Sequence, residues 1–250
     1  MAGAAVLGRL TWLEATVTDL AEETPTTRRV TLDVEGWDGH MPGQHVDVRL
    51  TAPDGYTATR SYSIASAPRP RRLELAVARV PGGEVSGYLA GPMAEGDQVE
   101  VRGPLGGWFV WRPEQPGPVQ LIAGGVGLAP LMSMVRARAQ TESPPPMRLL
   151  CSVRDPASRL YARELAQQGR QPDGVDVTWV YTRASENGSL PRRIDPHVVQ
   201  DAAFAASESP TCYVCGPTGF VEAAADLLVD EGHDPGLIRA ERFGPTGGRS

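Results

Sequence analysis

The chain has 250 residues, of which 41% are hydrophobic and 22% charged, and its formal net charge is −6. This length allows one large domain or two domains of about 100–150 residues. A negative net charge does not favour binding to nucleic acid or to an anionic membrane surface. All 24 basic residues are arginine, which excludes a Schiff-base lysine and the phosphate-binding lysine of a P-loop.

The three cysteines are Cys151, Cys212 and Cys215. They are too few for a disulfide framework and lack the spacing of iron–sulfur ligands. Met1–Leu10 is too short and too weakly apolar for a signal peptide, and no stretch reaches the roughly 18 apolar residues of a membrane helix. We therefore expect a cytoplasmic protein with no membrane segment, no metal site and no iron–sulfur centre of its own.

Residues 11 to 112 are predicted to form strands, because runs of β-branched and apolar residues are separated by Gly, Pro and Asp turns. One short helix is predicted after the turn Pro81-Gly82-Gly83, through Ser86–Leu89. This spacing indicates an antiparallel barrel or sandwich. The predicted strands are Thr11–Leu20, Thr26–Val34, His45–Leu50, Arg60–Ser66, Leu73–Val80 and Asp97–Val101, the last ended by Gly103–Gly107.

A domain boundary is predicted at Pro113–Pro118, because three prolines in six residues interrupt both strand and helix. The predicted domains are residues 1–114 and 115–250. Strands and helices alternate in the second, which indicates a parallel doubly wound sheet; its Gly-rich tail, Gly244–Ser250, is expected to fray. The strands are Val119–Ala123, Met147–Val153, Val175–Tyr181, Thr211–Cys215 and Leu237–Phe243, and the helices Leu128–Gln140, Arg159–Gln168, Asp195–Ala206 and Phe220–Glu231.

A glycine-rich stretch, Gly124-Gly125-Val126-Gly127-Leu128-Ala129-Pro130, follows a buried strand and opens a helix. In that context the backbone can approach a pyrophosphate, and the helix N-terminus supplies hydrogen-bond donors. Pro130 suits the first helical turn, where its missing N–H is not needed. A purely structural turn is the alternative.

A second strand ends in Cys212-Tyr213-Val214-Cys215-Gly216-Pro217. The C-x-x-C spacing is typical of metal or redox sites, but residues three apart on a strand point to opposite faces, which argues against a shared metal or disulfide. We expect Cys215 to line the ligand crevice at the carboxyl end of the strand, with room for a flat ring beside Gly216 and Pro217. Cys151 and Cys212 are expected in the core.

Four motifs follow in the order Arg60-x-Tyr62-Ser63, Gly83-x-x-Ser86, Gly124-Gly125-x-Gly127-x-x-Pro130 and Cys215-Gly216-Pro217. In this order the chain resembles the ferredoxin–NADP reductase-like flavoprotein reductases, from about Arg9 to Phe243. The resemblance implies a β + α/β protein: an N-terminal antiparallel Greek-key flavin-binding barrel, then a doubly wound parallel-sheet nicotinamide-nucleotide domain. Because the chain ends soon after Phe243, we expect a stand-alone reductase without a fused ferredoxin domain.

By this resemblance, the first domain holds the flavin. Arg60 would bind the pyrophosphate with its forked guanidinium, Tyr62 would stack on the isoalloxazine, and Ser63 would bond near its N5 edge. A helix start would hold the second phosphate, which favours FAD over FMN. Tyr62 could instead fill a core, and Gly83 could be only a turn. The implied residues are Arg60, Ser61, Tyr62, Ser63, Gly83, Glu84, Val85 and Ser86.

The resemblance places nicotinamide beside Cys215, over the flavin ring. Phe243 would cover the far face of the flavin and be displaced or flanked by nicotinamide during hydride transfer. Glu241 would position the nicotinamide or help proton traffic, although an exposed charge on an end strand is the alternative. The implied catalytic residues are Ser63, Cys215, Glu241 and Phe243, and the nucleotide-binding residues include Gly124, Gly125, Gly127, Pro130, Cys215, Gly216 and Pro217.

Arginines near the predicted strand ends bear on the choice of coenzyme. Arg154 and Thr182-Arg183 follow two neighbouring strands, and Arg192 and Arg193 come shortly after. Guanidinium groups bind a ribose 2′-phosphate well, and relatives specific for NADPH are similar at Arg154 and Thr182-Arg183. We therefore expect NADP(H), with NAD(H) possible because Asp155 is close to the strand end. Surface arginines without a ligand are the alternative.

The expected function is a reductase that moves hydride from NAD(P)H to FAD and then single electrons to a ferredoxin or another iron–sulfur or haem carrier. One alternative is an electron-transfer subunit that works only within an oxygenase or molybdoenzyme complex. Another is a regulatory module that binds flavin and nucleotide without turnover. The basic run Arg69–Arg72 could dock an acidic carrier or be a solvated loop.

Overall fold

The computed structural model describes residues 10–184 and 190–244. The expectations for Met1–Leu10 and for the tail Gly244–Ser250 concern residues that lie outside these ranges, except Leu10 and Gly244 themselves. In the described part, no helix combines the length and the apolar character needed to cross a membrane.

The first half of the chain forms a six-stranded antiparallel sheet with strand order β4-β3-β6-β1-β2-β5. Its two edges approach each other where Ile64, just after β4, bridges to Leu75 on β5, so the sheet curls into the predicted Greek-key barrel around one hydrophobic core. The helix α1 lies between β5 and β6. The elements are β1 Leu13–Thr24, β2 Thr27–Val34, β3 His45–Thr51, β4 Thr57–Ser63, β5 Arg72–Ala78, α1 Glu84–Leu89 and β6 Gln98–Leu105.

Three predicted strands in this domain have boundaries that are wrong by three or more residues. β1 continues through the acidic residues to Thr24, because Ala21–Thr24 pair with β2, and the turn is only two residues long. β4 begins and ends three residues earlier than predicted. β6 runs on through Gly103 and Pro104 to Leu105, which pairs with His45, so this Gly-Pro step lies inside the strand rather than ending it.

The second half forms a five-stranded parallel sheet with strand order β11-β10-β7-β8-β9. Helices α2 and α3 pack on one face and α4 and α5 on the other, as expected for a doubly wound fold. The order reverses between β7 and β10. The elements are β7 Val119–Gly124, α2 Leu128–Arg138, β8 Met147–Val153, α3 Ala162–Gln168, β9 Asp176–Tyr181, α4 Pro196–Ala202, β10 Thr211–Pro217, α5 Thr218–Asp230 and β11 Ile238–Phe243.

Three helices are shorter than predicted, and one of them, α2, ends at Arg138 rather than Gln140. α3 begins at Ala162 because Tyr161 is in the left-handed conformation, with φ 54°. α4 ends at Ala202, since the extended Ala203 leads into Phe204, whose N–H donates to the buried Gln120 side chain. The two sheets lie on either side of the predicted boundary, and side chains of residues 109 and 111 pack into the core of the second domain. The domain limits themselves stay a prediction.

Candidate functional site

A cavity of about 880 Å³ opens where the barrel meets the second domain. Its volume is that of a cleft for a large cofactor. β4, the turn before α1 and the segment after β6 form one side, and β11 forms the other. The lining residues include Arg60, Ser61, Tyr62, Ser63, Gly83, Glu84, Val85 and Ser86 from the predicted flavin site, and Glu241 and Phe243 from the chain end. The structure thus brings these predicted residues together.

Arg60 provides a positive charge in this cavity without a carboxylate partner. In the described part of the chain, its guanidinium donates only to the carbonyl oxygen of Thr59, at 2.7 Å, and forms no salt bridge. A guanidinium that is not neutralised by protein can bind a phosphate with two hydrogen bonds. Ser61 differs, because its hydroxyl donates to Asp47 at 2.7 Å and is already engaged.

The first turn of α1 faces the same cavity. Gly83 is its N-cap, and no side chain caps the turn, so its first N–H groups remain without helical partners. A Cβ at Gly83 would clash with the Ser86 hydroxyl and crowd the Val80 carbonyl. A side chain at this position would need a new Ser86 rotamer and a small shift at Val80, so glycine favours the close approach of this turn. Val85 points into the barrel core and can offer only its backbone.

Ser63 and Glu241 meet across the domain boundary. The Ser63 hydroxyl donates to Glu241 Oε1 at 3.3 Å. Burial raises the pKa of the Glu241 carboxyl to about 7, an effect that the Ser63 hydrogen bond partly offsets. A carboxyl group with this pKa can hold or release a proton near neutral pH. Glu241 is therefore no ordinary solvated charge on an end strand.

Glu241 also predicts a pH dependence of stability. Because its folded pKa lies above its unfolded value, the neutral form stabilises the fold, and that contribution is lost as pH rises from about 4.5 to about 7. Relative to Glu241→Gln, the wild-type apoprotein should lose up to about 3 kcal/mol across this range. Urea unfolding of both proteins at pH 5 and pH 8 measures it. A pH-independent difference between them would contradict the burial of this carboxyl.

The two predicted nucleotide-binding turns lie side by side at the point where the strand order reverses. Gly124 ends β7 and Cys215 lies near the end of β10, which pairs with it. A Cβ at Gly127 would overlap the Cys215 carbonyl, and one at Gly216 would crowd Phe220 and Gly124. Ligands of doubly wound sheets bind at such a switch point. The close approach of the two turns depends on these glycines.

Not every predicted residue of the second domain lies on the cavity wall. Cys215 is fully buried, next to Glu241 on the neighbouring strand, and burial, with the nearby Glu241, raises the pKa of its thiol well above the usual value. The structure thus places Cys215 beneath the cleft, and its contact with nicotinamide stays a prediction. Gly124, Gly125, Gly127, Pro130, Gly216 and Pro217 likewise lie at the sheet edge rather than on this cavity.

The cysteines are buried free thiols. Cys212 packs with α4 and α5, whereas Cys151 and Cys215 pack with α2 on the other face of the sheet. The prediction that the C-x-x-C pair points to opposite faces is confirmed. In the described ranges, no group of three or more His, Cys, Asp or Glu side chains could hold a metal ion.

The structure adds cavity residues that sequence reasoning missed. His45 pairs with Ser63 on β4 and with Leu105 on β6, and Trp108 is 67% exposed at the rim. Val126 and Ala129, between and beyond the predicted glycines, line the second-domain side. His45 could have been found from its place opposite Ser63. For Trp108, the sequence showed only that it follows a Gly-rich turn, which did not indicate a place at the cavity.

Comparison with known proteins assigns both domains. Residues 14–110 match the family described as oxidoreductase FAD-binding domain, and residues 121–226 match the oxidoreductase NAD-binding domain. The ferredoxin–NAD(P)+ reductase component of the naphthalene 1,2-dioxygenase/salicylate 5-hydroxylase systems of a Ralstonia species is 30% identical over 240 residues. That alignment covers 94% of this chain and 70% of the relative.

Another relative is the glycine betaine monooxygenase reductase subunit of Pseudomonas aeruginosa, 32% identical over 217 residues; the match covers 82% of this chain but 56% of the relative. This chain therefore spans little more than half of that protein. The FAD/NAD-binding domain of nitric oxide dioxygenase from Vibrio cholerae has a TM-score of 0.82 at 25% identity, over 93% of this chain and 99% of that one.

Fold and site together define a two-domain flavoprotein with a nucleotide-binding sheet. The chain belongs to the ferredoxin–NADP reductase-like family of FAD-dependent oxidoreductases, with an FAD-binding barrel followed by an NAD(P)-binding domain. The cavity fits that cofactor: Arg60 forms no salt bridge with another described residue, and the uncapped turn of α1 faces the same space. The roles of the individual residues stay predictions.

The stacking role of Tyr62 can be tested directly. Its ring lines the cavity and packs partly against the barrel core, and burial raises the pKa of its hydroxyl to about 12. Loss of a stacked aromatic is worth about 1–2 kcal/mol, so Tyr62→Ala should bind FAD roughly tenfold more weakly, while Tyr62→Phe retains it. Flavin fluorescence titration of the apoproteins measures this. Full flavin occupancy in Tyr62→Ala would mean that the ring lies elsewhere.

Proposed function

We propose that this protein is an NADPH-dependent flavoprotein reductase that passes electrons singly to a separate iron–sulfur or haem carrier. The observation that carries the proposal is the Ser63–Glu241 contact, because it joins the flavin strand of one domain to the terminal strand of the other inside one cavity. Two relatives are named as reductase components of oxygenase systems. Their names support an electron carrier of an oxygenase system as the acceptor.

Each side chain has a distinct part in this proposal. A bound FAD supplies the chemistry, since it accepts two electrons as hydride and releases them one at a time. Arg60 binds the pyrophosphate, and Tyr62 orients the ring against the barrel. Phe243, which lines the cavity, would exclude water beside the ring and give way to nicotinamide. Ser63 and Glu241 hold a proton at the cavity wall, where the raised pKa of Glu241 suits exchange near neutral pH.

The preference for NADPH rests on the carboxyl ends of β8 and β9. The Arg154 carbonyl accepts from the Arg183 N–H at 2.9 Å, and the Arg192 N–H donates to the Tyr181 carbonyl at 2.8 Å, so the three arginine-bearing segments converge. All three side chains are exposed, and none forms a salt bridge with another described residue. Such a cluster suits a 2′-phosphate.

The acidic residue that could instead hold a ribose 2′-hydroxyl is engaged elsewhere. Asp155 Oδ1 accepts hydrogen bonds from Ser158 N–H and Oγ, at 2.9 and 2.8 Å. This carboxylate caps the short 3₁₀ turn at Pro156–Ser158. Only Oδ2 of this oriented carboxylate is left for a hydroxyl of NADH, whereas three exposed arginines face the same sheet edge, which favours NADPH.

Turnover with a small one-electron acceptor tests the proposed function. The FAD-loaded protein should reduce two ferricyanide ions for each NADPH oxidised, faster with NADPH than with NADH, and should reduce a ferredoxin or cytochrome. If the protein reduces ferricyanide but reduces neither a ferredoxin nor a cytochrome, a subunit that works only within a larger oxygenase or molybdoenzyme complex is favoured. A protein that binds both cofactors without oxidising NADPH would be a regulatory module, contrary to the proposal.

We also propose a cytoplasmic location. All three cysteines are free thiols, which is typical of proteins kept in a reducing compartment. Cell fractionation with antibodies against the chain tests this, and recovery from an oxidising compartment would contradict it.

A further inference from the structure

Helix α2 connects the nucleotide-binding turn with the end of the flavin strand. Its second residue, Ala129, lines the cavity, and its middle faces the first domain. There the Ser133 hydroxyl, which is fully buried, donates to the Ser66 carbonyl at 2.7 Å, and His40 Nε2 lies 3.0 Å from the same oxygen. One rigid helix therefore contacts both halves of the site.

Arg136, one turn further along α2, forms an ion pair and a backbone hydrogen bond with the first domain. Its Nη1 donates to Glu74 Oε1 at 2.6 Å and to the Ala65 carbonyl at 2.9 Å. Its Nε and Nη2 donate to both carboxylate oxygens of Glu164, at 2.7 and 2.6 Å. The Tyr161 hydroxyl donates to Glu74 Oε1 at 2.9 Å. Every nitrogen of the guanidinium is thus held in a fixed direction.

This cluster is buried, so its geometry is well defined. The Arg136 side chain is 15% exposed and that of Glu74 is 8% exposed. A buried carboxylate that loses its cation remains desolvated and uncompensated, and its surroundings must rearrange. Removal of Arg136 would consequently displace the residues that it holds rather than merely delete one contact.

The residues held by Arg136 continue directly into the flavin site. Ala65 follows Ser63 by two positions, and its N–H donates to the Glu74 carbonyl at 2.8 Å. Glu74 lies on β5 two residues before Ala76, which lines the cavity. Arg136 thus joins two cavity-forming strands, β4 just beyond its end and β5 within its first half, to the helix that begins at the nucleotide-binding turn.

We propose that Arg136 is a positioning residue for hydride transfer, which sets the nucleotide-binding domain against the flavin strand through Glu74 and the Ala65 carbonyl. This inference rests on the proposed function, since it concerns the distance between nicotinamide and flavin. Displacements near 1 Å can slow such a reaction by about 100-fold. A contact that only holds the domains together would change stability and leave the reaction rate unaltered.

The test compares Arg136→Gln with Arg148→Gln in the FAD-loaded protein. Arg148 is a matched control, because it also lies in the second domain, donates to the Ala203 carbonyl at 2.7 Å and stacks over Phe204. Among the described residues it forms no hydrogen bond or ion pair with the barrel. In stopped-flow reduction by saturating NADPH, Arg136→Gln should reduce its flavin about 10–100-fold more slowly. FAD content and the KM for NADPH should stay within about threefold of wild type.

Two further readouts separate positioning from stability. The long-wavelength charge-transfer absorbance between reduced flavin and NADP+, which forms when NADPH reduces the flavin anaerobically, should weaken in Arg136→Gln and not in Arg148→Gln. In the apoproteins, amide hydrogen exchange at Ala65 and Ser66 should accelerate only in Arg136→Gln. Adding Glu74→Gln removes the uncompensated carboxylate, so the double variant should recover melting temperature while its flavin reduction remains slow.

Flavin reduction in Arg136→Gln at the rate of Arg148→Gln would overturn the positioning role, as would recovery of that rate together with melting temperature in the double variant. If Arg136→Gln does not fold, Glu164→Gln loosens the same guanidinium from its more exposed side and is measured in the same way. Wild-type protein that NADPH does not reduce would instead mean that the proposed function has failed.

Discussion

Replacement of Arg60 by alanine should weaken FAD binding by about 100-fold. A charge-assisted hydrogen bond contributes about 1.5–3 kcal/mol. Arg60, which lines the same cavity as the uncapped first turn of α1, has no carboxylate partner among the described residues. Its loss would leave the pyrophosphate with backbone donors alone. Titration of the apoprotein with FAD, followed by quenching of flavin fluorescence, measures the dissociation constant.

Arg71→Ala is the matched control for this prediction. Arg71 pairs with Asp33 through two hydrogen bonds, at 3.0 and 2.6 Å, and lies outside the cavity. It belongs to the basic run Arg69–Arg72, where this ion pair favours a structural role over carrier docking. FAD affinity should be unchanged in Arg71→Ala. Equal affinities in both variants would remove Arg60 from the flavin site.

The double variant Arg154→Ala/Arg183→Ala should lose its preference for NADPH. Each guanidinium that contacts a 2′-phosphate contributes a charge-assisted hydrogen bond, so we expect the KM for NADPH to rise about 10–100-fold, while that for NADH changes little. Steady-state ferricyanide reduction with both coenzymes measures the ratio. The reason is electrostatic, because NADH lacks the ribose 2′-phosphate that these side chains would bind.

Arg170→Ala provides the comparison for the coenzyme test, since Arg170 is an exposed arginine beyond the end of α3. Its coenzyme ratio should match that of wild type. Equal losses for NADPH and NADH in the double variant would mean that the two arginines support the sheet edge rather than select the phosphate. An unchanged ratio would mean that neither contacts the ribose.

The sequence predicted the architecture because local patterns determine it. Strands with alternating apolar and polar residues, a proline-rich segment between the domains and repeated βα units predict the barrel and the doubly wound sheet. These patterns are local and require no knowledge of distant contacts. The same patterns placed Gly124–Gly127 and Cys215 at strand ends, and strand order then brought those ends together. A tertiary contact accounts for the wrong end predicted for α4, because the Phe204 N–H donates to the Gln120 side chain instead of continuing the helix.

The site was less predictable, because its chemistry depends on burial and on pairs distant in sequence. Nothing in the local sequence around Glu241 indicates that its carboxyl is desolvated next to Ser63, 178 residues away. Likewise, the strand position of Cys215 suggests a place on the crevice wall, but packing of the two glycine turns covers it. The helical sequence around Arg136 likewise does not indicate that its partners are Glu74 and Ala65 of the first domain.

Anaerobic mixing of the FAD-loaded protein with NADPH, and in parallel with NADH, tests the central claim most directly. The account predicts that the yellow flavin bleaches within the time of a catalytic turnover, faster with NADPH, and that the colour returns when a one-electron acceptor is added. A flavin that stays oxidised in the presence of excess NADPH would contradict the claim that this cavity is a hydride-transfer site.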